Sequence, residues 1–191
     1  MRIINREPAF KGNYLCILNK YYITDAGKEG VWETVERTNI YHSGAVVIIA
    51  VTKDGELILE RNWRVPIESY VIQFPAGLTD RENEGEEETA IRELLEETGY
   101  LAKTLIPIIK APLCPALSTT EANHFFAPGV EYVGKERKDP TETIEVLKIP
   151  IKEIDEFLMN LPMNTKLDLR VPGILWIMEK RLWFDQYNRA R

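Results

Sequence analysis

Glu93, Glu96 and Glu97 stand close together in the run Arg92-Glu93-Leu94-Leu95-Glu96-Glu97-Thr98-Gly99-Tyr100. At about 100° per residue, a helix gathers these glutamates on one side and sets Ile91, Leu94, Leu95 and Thr98 on the other. One face packs and the other concentrates negative charge. Glu93 and Glu97 form a like-charged i, i+4 pair, which weakens an isolated helix by about 0.2–0.5 kcal/mol unless a cation lies between them. Hard divalent ions such as Mg²⁺ take carboxylate oxygens and suit that gap. On an arbitrary helix such a face is merely solvated, with Arg92 paired to Glu96; what precedes this helix argues for chemistry.

The elements around it are legible from periodicity and turn residues. Residues 1–40 alternate polar and apolar positions about Asp25-Ala26-Gly27, which predicts a β-hairpin from the runs Tyr14–Leu18 and Val31–Arg37. A buried strand is expected at Ala45–Val51. The turn Lys53-Asp54-Gly55 follows, read as a two-residue hairpin with Asp-Gly at its tip, and leads into a strand at Leu57–Trp63. A short strand, Tyr70–Phe74, ends at Pro75-Ala76-Gly77. The acidic helix runs to Thr98, where Gly99 supplies the stop. Further strands are expected near 101–109, 122–127 and 142–149, and two helices near 151–159 and 170–186. Strands before, around and after one central helix make the class mixed α and β.

Counting back from Arg92, Glu84 lies eight positions earlier, and Gly77 closes the Pro-Ala-Gly element before it. This arrangement resembles the signature of the Nudix hydrolases: a glycine, five residues, a glutamate, seven residues, then Arg-Glu-apolar-x-Glu-Glu-x-Gly-apolar. The second half matches at every specified position from Glu84 to Tyr100. The first half departs from it, because six residues rather than five separate Gly77 from Glu84. The resemblance implies an α+β fold, an α/β/α sandwich with a mixed sheet between helices. It implies an N-terminal antiparallel β-sheet extension at 1–40 and a Nudix domain at 41–191.

The family's chemistry is hydrolysis of a nucleoside diphosphate linked to another moiety. By position, the resemblance makes Glu97 and Glu93 the principal metal ligands, Glu96 an additional one and the main-chain carbonyl of Ala76 a further one. Mg²⁺ is the expected ion, with Mn²⁺ as a substitute. Arg92 would orient the glutamates by ion pairing. The longer run Gln73-Phe74-Pro75-Ala76-Gly77-Leu78 looks like the ADP-sugar pyrophosphatase branch, which converts ADP-ribose to AMP and ribose 5-phosphate. Trp32-Glu33-Thr34-Val35-Glu36-Arg37-Thr38 is similar to that branch's Trp-Glu-x-Val-x-Arg-Thr segment. The branch exchanges its N-terminal sheet with a second subunit, so a homodimer is expected. Its aromatic residues stack on adenine, which carries over to Trp32 and, as a second stacking partner, Tyr14. Arg37 would lie beside the base or phosphate and Arg64 on the pyrophosphate. Glu142-Thr143-Ile144-Glu145-Val146 resembles the family's catalytic loop; Glu142 is the expected general base, with Glu145 and Glu121 as alternatives. His42 and His124 read as packing or surface residues.

Composition narrows the field independently. Lys plus Arg number 24 and Asp plus Glu 30, a net charge of −6, which argues against a nucleic-acid backbone or an anionic membrane as main partner. Cys16 and Cys114 are far apart and form no CxxC pair, which points to a reduced compartment rather than a disulfide framework. The longest apolar run, Ala45–Val51, is too short to span a bilayer and no signal-peptide core is visible. A cytoplasmic enzyme acting on a small nucleotide sugar is the expectation. Its alternatives are GDP-mannose or another nucleotide sugar as substrate, and a non-catalytic nucleotide sensor.

Overall fold

The computed structural model of the chain describes residues 1–38, 40, 44–134 and 143–180. Three antiparallel strands come first: β1 (Arg2–Lys11), β2 (Leu15–Ile23) and β3 (Glu29–Arg37). The expected hairpin is therefore the β2–β3 pair, turning at Gly27 with its φ of 79°. β1 is an additional strand that the alternation did not reveal, because every residue in it is exposed and no apolar face is buried to mark it.

The remaining strands form one nine-stranded mixed sheet. They are β4 (Gly44–Thr52), β5 (Glu56–Arg64), β6 (Ser69–Gln73), β7 (Ala76–Leu78), β8 (Tyr100–Leu101), β9 (Ile106–Pro112), β10 (Glu121–Tyr132), β11 (Ile144–Pro150) and β12 (Thr165–Leu167). Between them lie the helices α1 (Glu86–Thr98), α2 (Ile154–Met159) and α3 (Arg170–Lys180). β10 runs parallel to β4 and β12 parallel to β6; the other pairs are antiparallel. The expected strand at 101–109 divides into β8 and β9, which pair with different stretches of the long β10. The short β7 and β12 were not anticipated, since three residues carry too little periodicity to register. Residues beyond 180 in the last expected helix lie outside the described residues.

β4 is buried along its whole length, which a strand tolerates when both faces of its sheet are covered. Ala45, Val47, Ile49 and Val51 pack with Ile154 of α2 and with Val171, Ile174 and Met178 of α3. Val46, Ile48 and Ala50 pack with Ala90 and Leu94 of α1. The period-two pleat thus sends alternate residues of one apolar run to two helical layers. The β4–β5 turn is one residue longer than the expected two-residue hairpin. Lys53, Asp54 and Gly55 separate the strands, and Gly55 adopts φ 77°, a conformation that favours glycine.

α1 ends as expected. Gly99 takes φ 75° and its N–H donates to Leu95 O at 2.9 Å. Its first turn carries Glu86, Glu87 and Glu88 against the positive end of the helix dipole. Among the described residues, no helix is long and apolar enough to cross a membrane.

Candidate active site

The acidic side of α1 is not one uniform solvated face. Glu97 is only 7% exposed, whereas Leu95 is half-buried. The reason lies outside the helix: the Pro75-Ala76-Gly77 loop and β5 close over this side, so the sheet rather than the helix period decides which residues meet water. Glu97 Oε2 accepts a hydrogen bond from the Ala76 N–H at 3.0 Å. Its carboxyl also meets that of Glu60, which is fully buried on β5. Burial, and then the charge and hydrogen bond of Glu60, push the Glu97 carboxyl well above the ordinary carboxylate range. Two buried carboxyls in contact must share a proton or a cation, because like charges at that distance cannot both ionise freely.

Glu93 lies against the same loop. A Cβ on Gly77 would fall 2.0 Å from Glu93 Cδ, so only glycine lets the loop approach the helix this closely. Burial raises the Glu93 carboxyl, and the neighbouring Arg92 opposes that rise. Arg92 is the hub. Its Nη1 donates to Glu93 Oε1 at 2.7 Å and to Glu96 Oε2 at 3.1 Å, while Nε donates to Glu84 Oε1 at 2.8 Å. Glu84, chiefly through Arg92, is held below its ordinary carboxylate value, and it also accepts from Thr89 Oγ1 at 3.0 Å. The extra residue before the helix is therefore absorbed in the loop without detaching Glu84 from Arg92.

Among the described residues, no three acidic, histidine or cysteine side chains already converge as a closed cation cage. Glu93 and Glu96 lean on Arg92. The donor set nevertheless fits a hard divalent ion, since Glu93, Glu96 and Glu97 line one cleft and the Glu97 carboxyl meets that of Glu60, which concentrates carboxylate oxygens there. The link observed at Ala76 is through its N–H.

A cleft of about 1090 Å³ opens along this face. Glu93, Glu96 and Glu97 line one side; Arg37, Arg64, Lys166 and Arg170 line it from the other elements. Arg64 Nε donates to Gln73 Oε1 at 2.8 Å. Arg170 is pinned by Asp168, whose Oδ1 accepts from both the Arg170 main-chain N–H at 2.9 Å and the guanidinium Nε at 3.0 Å. Acid and base thus face each other across a space able to take a phosphorylated ligand.

Of the residues expected from sequence, Arg37, Arg64, Ala76, Arg92, Glu93, Glu96 and Glu97 meet in this one cleft. Trp32 and Tyr14 are not part of its lining within a single chain. Trp32 is 53% exposed on β3, with its indole Nε1 donating to Ala116 O at 2.9 Å, and Tyr14 is 66% exposed between β1 and β2. Glu142 and His42 lie outside the described residues. Glu145 is exposed and pairs with Arg61 at 3.2 Å, on the sheet face opposite Glu60, because neighbours along a strand point to opposite faces. Glu121 stands at the start of β10, 3.8 Å from Lys110 and away from the cleft lining. His124 is buried, its Nδ1–H donating to Ile109 O at 3.2 Å.

Glu60, Lys166, Asp168 and Arg170 were not singled out from sequence. Glu60 had a signal, a charge directly after the apolar run Leu57-Ile58-Leu59; Lys166 lies in β12, Asp168 in the link after it and Arg170 at the start of α3, and these three reach the cleft only through tertiary packing.

The chain is similar to known proteins over most of its length. The family described as NUDIX domain matches residues 41–167. An ADP-ribose pyrophosphatase of Bacillus subtilis is 31% identical over 153 residues, covering 80% of each chain. A GDP-mannose pyrophosphatase of Yersinia enterocolitica is 30% identical, covering 71% of this chain and 75% of that one. A crystal structure of an ADP compounds hydrolase superposes with a TM-score of 0.78 at 25% identity, covering 95% of this chain and 93% of that one.

Proposed function

The chain belongs to the Nudix hydrolase family, and from that premise we propose that it hydrolyses the pyrophosphate bond of ADP-ribose or a related ADP-sugar to AMP and a sugar phosphate. The observation that carries this reading is the single cleft in which the buried Glu97, with Glu93 and Glu96, faces Arg37 and Arg64. A pyrophosphate needs both sides: positive groups to hold its oxygens and a cation seat to offset the charge that repels attacking water.

Glu97, Glu93, Glu96 and the Ala76 carbonyl would hold Mg²⁺, or Mn²⁺ in its place. Such an ion supplies charge neutralisation and makes water a better nucleophile at neutral pH. Arg92 keeps Glu93 and Glu96 oriented through the bonds described above. Arg64, pre-set by Gln73, and Arg37 bind the pyrophosphate oxygens. Glu142 takes the proton from the attacking water as the new P–O bond forms and the bridging P–O bond breaks.

Trp32 and Tyr14 stack on the base. Trp32 is fitted to this, since its bond to Ala116 fixes the plane of an otherwise exposed ring. Residues 1–40 form a dimerising arm. The support is that β1 is exposed along its length, with Ile3, Ile4 and Phe10 on it, and that the two aromatic residues lie off their own chain's cleft. A monomeric mass from light scattering at micromolar concentration would remove the dimer. The enzyme is assigned to the cytoplasm, a setting with which the unpaired Cys16 and Cys114 are compatible.

The similarity to a GDP-mannose pyrophosphatase supports a second reading in which guanine nucleotide sugars are preferred. Both are tested by product release from ADP-ribose, ADP-glucose, GDP-mannose, NADH and a diadenosine polyphosphate with Mg²⁺. AMP and ribose 5-phosphate from ADP-ribose are expected. Preference for GDP-mannose would keep the metal seat and overturn the adenine assignment. Binding of ADP-ribose without turnover would favour a sensor.

A further inference from the structure

A chain of polar contacts, buried at Gln73 and Glu60, runs from the cleft's arginine to the acidic helix. Arg64 Nε donates to Gln73 Oε1 at 2.8 Å, and Gln73 Nε2 donates to Glu60 Oε2 at 3.3 Å. The Glu60 carboxyl in turn lies against that of Glu97, whose Oε2 accepts from the Ala76 N–H. Gln73 is 2% exposed and Glu60 fully buried. The sheet register produces this alignment: Gln73 lies opposite Glu60 on the paired strand, and residues 60 and 64 share a face by the pleat.

The chemistry of each group fixes its neighbour. A guanidinium only donates, so the Gln73 oxygen must face Arg64; the amide nitrogen must then face Glu60, which accepts. Reversing the amide would set donor against donor and acceptor against acceptor. A glutamate at this position would still accept from Arg64 but would oppose Glu60 with like charge. The bond between Gln73 and Glu60 is not needed to join their strands, because the backbone ladder from Glu60 to Arg64 already does so.

We propose that Gln73 is a positioning residue that ties Arg64, on the phosphate side of the cleft, to the Glu60–Glu97 pair on the metal side, so that loosening either end weakens the other. This rests on the reading of Arg64 and Glu97 given under Proposed function. Gln73 borders the cleft but is only 2% exposed, with both ends of its amide already engaged by Arg64 and Glu60, so it acts through those two neighbours.

The test is Mn²⁺ binding to the full chain without nucleotide, followed by electron paramagnetic resonance of the free ion. Wild type, Gln73→Met, Arg64→Met and Glu97→Gln are compared, with melting temperature recorded for each. Gln73→Met should raise the Mn²⁺ Kd about tenfold, as loss of a group that orients metal ligands does. It should also raise KM for ADP-ribose. Arg64→Met, at the far end of the chain, should raise the Mn²⁺ Kd in the same direction by about twofold. A role confined to packing would move the melting temperature and leave the Mn²⁺ Kd alone. Unchanged Mn²⁺ binding in both methionine variants, with loss in Glu97→Gln, would overturn the inference and spare the metal seat. If Gln73→Met fails to fold, Arg64→Met decides the matter alone. Unchanged binding in Glu97→Gln would instead remove the metal seat itself, and the inference with it.

Discussion

Glu97 Oε2 accepts the Ala76 N–H at 3.0 Å, so the start of β7 and the last turn of α1 are joined by a hydrogen bond across residues far apart in sequence. The same carboxyl presses against Glu60. This helix end is built at a cost in repulsion that a cation would relieve.

Glu97→Gln tests that arrangement directly. It keeps the shape and the acceptor for Ala76 while removing one charge. Turnover of ADP-ribose should fall by about 10²–10³-fold, the scale of losing one electrostatic group in a preorganised site. The metal-free melting temperature should hold or rise, because repulsion with Glu60 disappears. Near wild-type turnover would defeat the assignment.

Gly77→Ala should be disruptive beyond its size. The added Cβ falls on the Glu93 carboxyl, which Arg92 also holds, so the side chain or the loop must shift. We expect a lower melting temperature together with weaker Mg²⁺ activation. An active variant with an unchanged Mg²⁺ requirement would show that Glu93 is free to move without consequence.

Arg92→Lys preserves the charge and loses the fork. One ammonium cannot replace the bonds that Arg92 makes to Glu84, Glu93 and Glu96. Stability should drop by about 1–3 kcal/mol, the scale of losing a hydrogen bond to a charged group, as read by urea unfolding. A variant as stable as wild type would mean these bonds contribute nothing net.

Trp32→Ala should act on binding rather than chemistry. Loss of one stacked base is worth about 1–3 kcal/mol, roughly 5- to 140-fold in KM, with kcat little changed. A fall in kcat at constant KM would show that Trp32 serves another purpose.

His124 supplies a pH prediction of defined sign. Burial holds its imidazole below the ordinary value of 6.5. The unfolded chain therefore takes up a proton first as pH falls, so this group's stabilisation is present above pH 6.5 and lost below it. His124→Gln cannot titrate; the melting temperature of wild type relative to this variant should fall between pH 7 and pH 5. Parallel profiles would contradict the burial argument.

Much of this molecule was legible because it depends on neighbours in sequence. The turn at Asp54-Gly55, the end of α1 at Gly99, the doubly buried Ala45–Val51 strand and the grouping of Arg92, Glu93, Glu96 and Glu97 each follow from local conformational preference or a short period. The candidate site was half readable for the same reason: its acidic side lies on one helix. What the helix wheel misjudged was Glu97, whose burial is decided by β5 and the Ala76 loop rather than by its place on α1. Glu60, Gln73, Asp168 and Arg170 enter the site through strand register and the docking of α3. Register and docking depend on where distant apolar runs find their partners, and no local pattern carries that information. The amino-acid order by itself determined the chemistry that α1 could perform; tertiary packing decided which carboxyl would be buried, which arginines would face it and which side chains would hold them there.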